Sequence, residues 1–304
     1  MTAFAKTTGT LAALALGSAL STATAMPLSD YNLILIEDYT FLGGDVEGQT
    51  LVGGNLDATG YYPVFGSQAI QFEDTLTVVG DINAQGITVE NGDVVYGGNL
   101  NVVHTNMNGG GTVTQDTSLD ISDIYNELID TSNYYAGLSA NGLFDLGTDT
   151  LNYNGSDTVA VFDVSADDIF AQNNNLRLNS GSAETVIINV SGVDIVNGGG
   201  VNLIDGFRDH DIGAENILWN FYQAGSIDFG SLGMVGAVLA AEADITGSGV
   251  FDGSVAANSF TGGLEFHKHL FNTPDIDVEV PEPATLALLG LGVVGLMRSR
   301  KKAK

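Results

Sequence analysis

The chain has 304 residues, among them 40 Gly and no Cys, and a formal net charge of −28 from 37 Asp and Glu against 9 Lys and Arg. The lack of Cys excludes disulfide staples and thiol redox chemistry. The anionic balance excludes nucleic acid as a partner, because phosphate binding rests on Lys and Arg that release counterions.

At the N-terminus, Lys6 precedes an apolar run from Leu11 to Leu20, and Ala23-Thr24-Ala25 forms a small-x-small site. This is the layout of a secretory signal peptide over residues 1–25, with cleavage after Ala25. Between residues 26 and 280 only Arg177, Arg208 and Lys268 face 36 acids, so the exported body carries the anionic character. Such acidity suits solubility outside the cell, a saline habitat or divalent-cation capture. The body is long enough to bury a core without staples, and one domain over residues 26–271 is expected.

The first third repeats a unit of apolar residue, Gly, Asp or Asn, and apolar residue: Leu42-Gly43-Gly44-Asp45-Val46, Val52-Gly53-Gly54-Asn55-Leu56, Val79-Gly80-Asp81-Ile82 and Tyr96-Gly97-Gly98-Asn99-Leu100. Gly followed by Asn or Asp supplies positive-φ, side-chain-bonded corners. β-branched runs between the corners, such as Thr75 to Val79 and Ile87 to Val89, read as short strands. Together they predict a mostly β chain built as a β-solenoid, or β-helix, whose coils stack their strands. The glycines fit no phosphate-binding loop, since none stands in a strand-to-helix setting with the required spacing.

From Leu119 to Gly137 the period changes. Ile121, Ile124, Tyr125, Leu128, Tyr135 and Leu138 recur at three and four, with Thr117 or Ser118 as N-cap and Asp120 and Asp123 near the positive end. This predicts one long amphipathic helix packed along the solenoid's flank. Strands follow at Thr158 to Val164, Thr185 to Val190, Val193 to Val196 and Ile217 to Tyr222. Then Val235 to Ala241 returns as Phe251 to Asn258, with Gly236 and Gly253 17 residues apart, the length of a plausible coil. The body ends near Phe271, and residues 272–280 read as a linker.

Two clusters are metal candidates. Asp205, Asp209 and Asp211 in "DGFRDHD" offer oxygen ligands for Ca²⁺, although Arg208 would neutralise part of such a site. His267 and His269 share a strand face as a possible imidazole pair, with a structural role as the alternative. No other cofactor is implied.

The tail, residues 281–304, opens on Pro281-Glu282-Pro283, continues through 14 uncharged residues from Ala284 to Met297, and ends in Arg298, Arg300, Lys301, Lys302 and Lys304. The apolar run predicts a separate C-terminal helix of about 21 Å, short of a hydrocarbon core of about 30 Å. The two Pro keep the approach extended and accessible to a protease, while the bases favour the cytoplasmic side.

On these residues the chain resembles the choice-of-anchor A family. The resemblance rests on "YNLILIEDYTFLGGDVEGQTLVGGNL" (Tyr31 to Leu56), on Asn216 to Phe271, and on the tail, which resembles a PEP-CTERM sorting signal. It implies an adhesive domain akin to the solenoid-plus-helix domain of ice-binding adhesins, in a Gram-negative producer of extracellular polysaccharide. It also implies processing by an exosortase-type membrane enzyme after transient inner-membrane insertion, and delivery to the cell surface, outer membrane or extracellular matrix.

The function expected is therefore non-enzymatic: a surface-sorted adhesion or biofilm-matrix protein that binds an exopolysaccharide or other surface glycan. Exposed Tyr61, Tyr62, Tyr134 and Tyr135 are candidates for stacking on sugar rings, against core packing as the alternative. An ice-binding or calcium-binding surface protein is one other reading. Ice binding would want a regular Thr array, and Thr75 with Thr77 and Thr112 with Thr114 are isolated pairs. A polysaccharide-acting enzyme on a β-helix is the other rival. A lyase would have only Arg177, Arg208 and Lys268 as bases, and a glycosidase's carboxylate pair has no signature among so many acids.

Overall fold

A computed structural model of the chain describes residues 26–71, 73–208 and 212–276. The signal-peptide reading with Ala23 and Ala25 lies outside these residues. So do the sorting signal with Pro281, Glu282, Pro283, Arg298, Arg300, Lys301 and Lys302, the C-terminal apolar helix, and Asp209 and Asp211 of the Ca²⁺ candidate.

The described chain is mostly β, as expected. Its strand ladders are parallel, apart from the antiparallel pair Leu143–Asp145 with Thr150–Asn152. Short β-branched strands separated by close-packed glycine corners produce this pattern, because each strand can lie on the next only where the corner lets the backbones approach. Successive strands meet at offsets set by the corner-to-corner length: Leu33 pairs with Thr50, Leu76 with Val94, and Val94 with Val113. The late repeat behaves the same way. Val238 pairs with Val255, so the 17-residue similarity is a direct register between neighbouring strands.

The spatial order departs from the sequence order. The strand Val255–His267 lies on Ala237–Gly247 on one side, and on the other it receives Leu33–Leu35 and Tyr39–Val46 from the start of the chain. One ladder thus runs from Val159–Ser165 through Thr185–Ser191, Ile217–Asn220 and Ala237–Gly247 to Val255–His267. It then continues through Leu33–Leu35 and Thr50–Val52 out to Val113–Gln115.

Alternating residues of the strands fill the interior. Phe251, Phe260 and Phe266 meet edge to face at 5.3–6.4 Å, and Tyr39 joins them at 5.9 Å from Phe260. Trp219 stacks on Phe207 and donates its Nε1 hydrogen to the Val235 carbonyl at 2.9 Å, so the buried indole leaves no unpaired donor.

A second apolar layer covers the outward side of one ladder. Ile34, Leu51, Leu218, Leu239 and Ala256 are buried there beneath Met26, Leu28, Phe271 and the helix α1, Ser122–Ala136. Burying each large aliphatic side chain stabilises by about 1.5–3 kcal/mol. α1 turns Leu128, Ser132 and Tyr135 inward, and an Asn ladder pins it. Asn220 Nδ2 donates to the Ser132 carbonyl and to Asn189 Oδ1, both at 2.9 Å, while Asn189 Nδ2 donates to the Tyr135 carbonyl at 2.9 Å.

The helix starts later than its periodicity predicts, and neither Thr117 nor Ser118 caps it. Asp120 Oδ1 instead accepts from the Ser122 N–H at 2.9 Å and the Ser122 hydroxyl at 2.6 Å. Those bonds hold the Asp120 carboxyl below its ordinary pKa. Ser118 is already engaged in the same way by Asp116.

The glycine corners are where the sequence places them, with a different cause. At Gly53, Gly54, Gly80, Gly97 and Gly98 the backbone is not in the positive-φ region. A Cβ on Gly53 would sit 2.2 Å from the Ile36 carbonyl oxygen, and one on Gly97 2.3 Å from that of Val79. Close approach between successive strands therefore demands glycine. Gly43 and Gly44 are the exception: they have positive φ but lie inside the strand Tyr39–Val46, at a register shift against Val255–His267. A bulge, not a corner, uses them.

Candidate ligand-binding face

One outward row crosses both halves of the molecule. Thr246 registers with Thr261, and Thr261 with Thr40. The row continues through Asp57 and Asn83 to Asn101 in one direction, and through Asp228 to Val196 in the other. At about 4.8 Å between paired strands, these eight residues span roughly 34 Å. Alternation along the strands places them outward, because Ile245, Phe260, Tyr39, Leu56 and Ile82, one position earlier, are buried.

A second row lies two residues earlier along each strand. Asp194 accepts from Ser226 Oγ at 3.0 Å, and Asp244 from Ser259 Oγ at 2.7 Å. Between the early strands the corner residues chain together: Asp38 Oδ1 accepts the Asn55 N–H at 2.6 Å, Asn55 Oδ1 the Asp81 N–H at 2.8 Å, and Asp81 Oδ1 the Asn99 N–H at 2.6 Å. This row is committed to holding strand to strand. The Thr-containing row is freer to meet a partner: its ties are the Asn83–Asn101 contact at 2.8 Å and two local turns, Asp57 with Thr59 and Asp228 with the Gly230 N–H.

An apolar margin follows the row. Leu42, Tyr61, Tyr62 and Val103 are exposed, Tyr62 at 57%. The Tyr61 ring meets buried Phe41 edge-on at 5.9 Å, and a Cβ on Gly86 would approach the Tyr62 ring to 3.1 Å, so both rings are seated on the body. Tyr134 is also exposed, on the helix. Tyr135 is not: it is 2% exposed, packed under α1 with its hydroxyl 3.9 Å from Met26 Sδ, and burial raises its pKa. Its place as a sugar-stacking candidate is corrected to a core position.

The other sequence candidates are scattered. Asp205 is held by Arg177 Nε at 3.2 Å, and Arg208 Nε donates to the Leu203 carbonyl at 2.7 Å. Among the described residues no three His, Asp or Glu side chains converge as a metal site. His267 and His269 do not share a ligand position. His267 Nδ1 is 2.6 Å from Asp252 and its Nε2 is 3.5 Å from Glu265, while His269 faces Glu215 at 3.9 Å. Burial alone would lower the His267 pKa. The Asp252 hydrogen bond and charge, aided by Glu47 and Glu265, outweigh it and raise the value.

The Thr pairs seen in sequence are not the array either. Thr75 and Thr77 are buried, Thr75 with no hydrogen-bond partner for its hydroxyl among the described residues, and Thr112 is tied to Asp93. The row of Thr40, Thr246 and Thr261 has no local sequence signal, because Thr40 joins the other two only when the chain's start meets the strand Val255–His267.

This arrangement of hydroxyls, amides and carboxylates on parallel strands donates and accepts hydrogen bonds over a long surface. The family model of an ice-binding-like adhesive domain matches residues 24–268. The chain belongs to that family. A second match, to the PEP-CTERM protein-sorting motif, covers residues 279–301. That motif marks this adhesive-domain protein for processing by an exosortase and for export to the surface of a Gram-negative cell.

Two solved structures are similar in part. An ice-binding protein from an Antarctic biological consortium is 15% identical with a TM-score of 0.29, over 88% of this chain and 94% of that one. The DUF3494 domain of Shewanella frigidimarina ice-binding protein 1 is 14% identical with a TM-score of 0.32, over 80% of this chain and 96% of that one. No curated protein matches the chain. Among the described residues no helix is long and apolar enough to cross a membrane.

Proposed function

We propose that this adhesive-domain protein is a non-enzymatic surface adhesin that holds a hydroxyl-rich polymer, such as an exopolysaccharide, along the row from Val196 to Asn101. The observation that carries this reading is the row itself: from Asp228 to Asn101 polar side chains repeat at strand spacing, with Val196 at the far end and seated, exposed Tyr61 and Tyr62 beside it. A repeating ligand matches a repeating surface, and aromatic rings beside it offer stacking faces for sugars. We take the parallel ladders to close into a β-solenoid over residues 26–271, followed by the linker 272–280. The tail helix enters the inner membrane transiently while the exosortase acts, and the mature protein ends in the extracellular matrix or at the outer membrane.

The test is retention of the purified protein on the producer's own exopolysaccharide and on a glycan array. Binding that falls with Thr261→Val and Tyr62→Ala at unchanged melting temperature supports the reading. Sugar release on incubation, or binding indifferent to both substitutions, sinks it.

The three stacked Thr side chains favour a second reading, ice binding, because they supply part of the regular Thr spacing absent from the sequence order. Thermal hysteresis that disappears in Thr261→Val would select it over glycan adhesion. Calcium at Asp205, Asp209 and Asp211 is the weaker proposal, since Asp205 is already paired with Arg177. A melting temperature unmoved by millimolar calcium would remove it.

A further inference from the structure

We propose that two copies of this chain join end to end through the edge strand Leu100–Met107, which pairs antiparallel with its own copy about a two-fold axis between Val103 and His104. Among the described residues this strand pairs only with Ile82–Val89, so its other side presents unpaired backbone N–H and C=O groups over eight residues. Exposed edges of this length are normally blunted by Lys, Pro or inward charges. Leu100–Met107 contains none of these.

The edge is also self-complementary. Leu100, Val102, Thr105 and Met107 are half-buried, while Asn101, Val103, His104 and Asn106 are exposed, so the pattern reads the same from both ends. A two-fold axis between Val103 and His104 sets Leu100 opposite Met107, Val102 opposite Thr105, and Asn101 opposite Asn106. Every inward residue then faces an inward residue and every outward one an outward one, which an antiparallel pair requires. A one-residue slip would break the match on both arms.

The outward Asn side chains are committed to the preceding strand, so the backbone edge carries the pairing. Asn99, Asn101, Asn106 and Asn108 each donate their amide hydrogen back to the preceding strand, to Asp81, Asn83, Thr88 and Glu90 at 2.8–3.2 Å. Such amide stacking continues only along a parallel array, so about the two-fold axis the unpaired backbone N–H and C=O groups, not these amides, join the copies.

Charge selects the partner. A body with 36 acids against three bases repels its own copy, yet no Asp or Glu occurs from Val94 to Gln115. This segment can meet its own copy in a second anionic molecule without bringing a charge of its own against a like charge.

The chain has no Cys, so single Cys substitutions in the full-length protein report the register directly. Oxidising a mixture of Asn101→Cys and Asn106→Cys should give at least about tenfold more disulfide-linked dimer than either variant alone, because only opposed positions approach within disulfide reach. Asn101→Cys mixed with Asn108→Cys should resemble the single variants. Val103→Glu, at an exposed position, should lose the dimer seen by sedimentation while keeping its melting temperature. A wild-type protein that sediments as a monomer overturns the proposal. Cross-linking that is equal in all mixtures, or a dimer unchanged in Val103→Glu, does so as well.

Discussion

Thr40 lies directly beside Thr261 in adjacent parallel strands, although 221 residues separate them in the chain. Both side chains point outward, so each can be shortened or made apolar without opening the core. Thr40→Val and Thr261→Val should leave the thermal midpoint within about 2 °C of wild type, as surface substitutions shift stability by at most ~0.5 kcal/mol. Each should weaken ligand retention, and the pair together should weaken it further. Equal retention by the double variant would remove the row from the binding surface.

Tyr39 is fully buried between Phe41 and Phe260, and its hydroxyl has no hydrogen-bond partner among the described residues. Burial, with the charge of Asp45, raises its pKa. Removing a buried hydroxyl that bonds to nothing relieves a desolvation cost of about 1–3 kcal/mol. Tyr39→Phe should therefore match or exceed wild type in denaturant midpoint, and a clear loss would reveal a partner for that oxygen.

Asn220 bridges α1 to the ladder through Ser132 and Asn189. Asn220→Ala leaves a buried carbonyl and a buried amide oxygen without their donor, at a cost of about 2–3 kcal/mol. Urea unfolding followed by circular dichroism would measure it. A change under half that size would mean that apolar packing alone holds the helix.

Gly53→Ala and Gly225→Ala should behave oppositely. The first drives a methyl into the Ile36 carbonyl, while the second meets only the Val193 carbonyl oxygen at 4.0 Å. Overpacking costs about 1–3 kcal/mol, so Gly53→Ala should lower the thermal midpoint clearly and Gly225→Ala should hardly move it. Similar losses at both sites would point to backbone entropy in place of strand-to-strand approach.

His267 makes stability depend on pH. Its folded pKa lies above the ordinary 6.5, so its contribution is complete below 6.5 and is lost as pH rises through the folded value. Asp45, raised by burial and by Glu265 and Glu47, loses its contribution in the same direction, starting lower, from 3.8. The melting temperature should fall with rising pH above 6.5, and His267→Gln should flatten that fall. A slope unchanged in the variant would assign it to other groups.

Much of this architecture is legible in the sequence because it is local. β-branched runs and corner glycines are written within a few residues of one another, and so is the Val235–Ala241 repeat, whose copies are neighbouring strands. What is not legible has two physical sources. The first is non-local stacking: Leu33 meets Val255 and Thr40 meets Thr261, so the polar row is assembled from distant segments with no shared motif. The second is the identity of the constraint. Gly43-Gly44 and Gly53-Gly54 look alike as letters, yet one pair satisfies a positive-φ bulge and the other makes room for a carbonyl. Tyr134 and Tyr135 likewise differ only in which side of α1 they occupy.

The strand Val255–His267 joins the two halves, with Ala237–Gly247 on one flank and the chain's first strands on the other. This strand is the last of the ladder in chain order, and the sorting-motif match begins at residue 279, 12 residues after His267. A chain cut short before Val255 would lack both the strand that joins the two halves and the sorting motif, so one truncation removes the fold's joint and its address together.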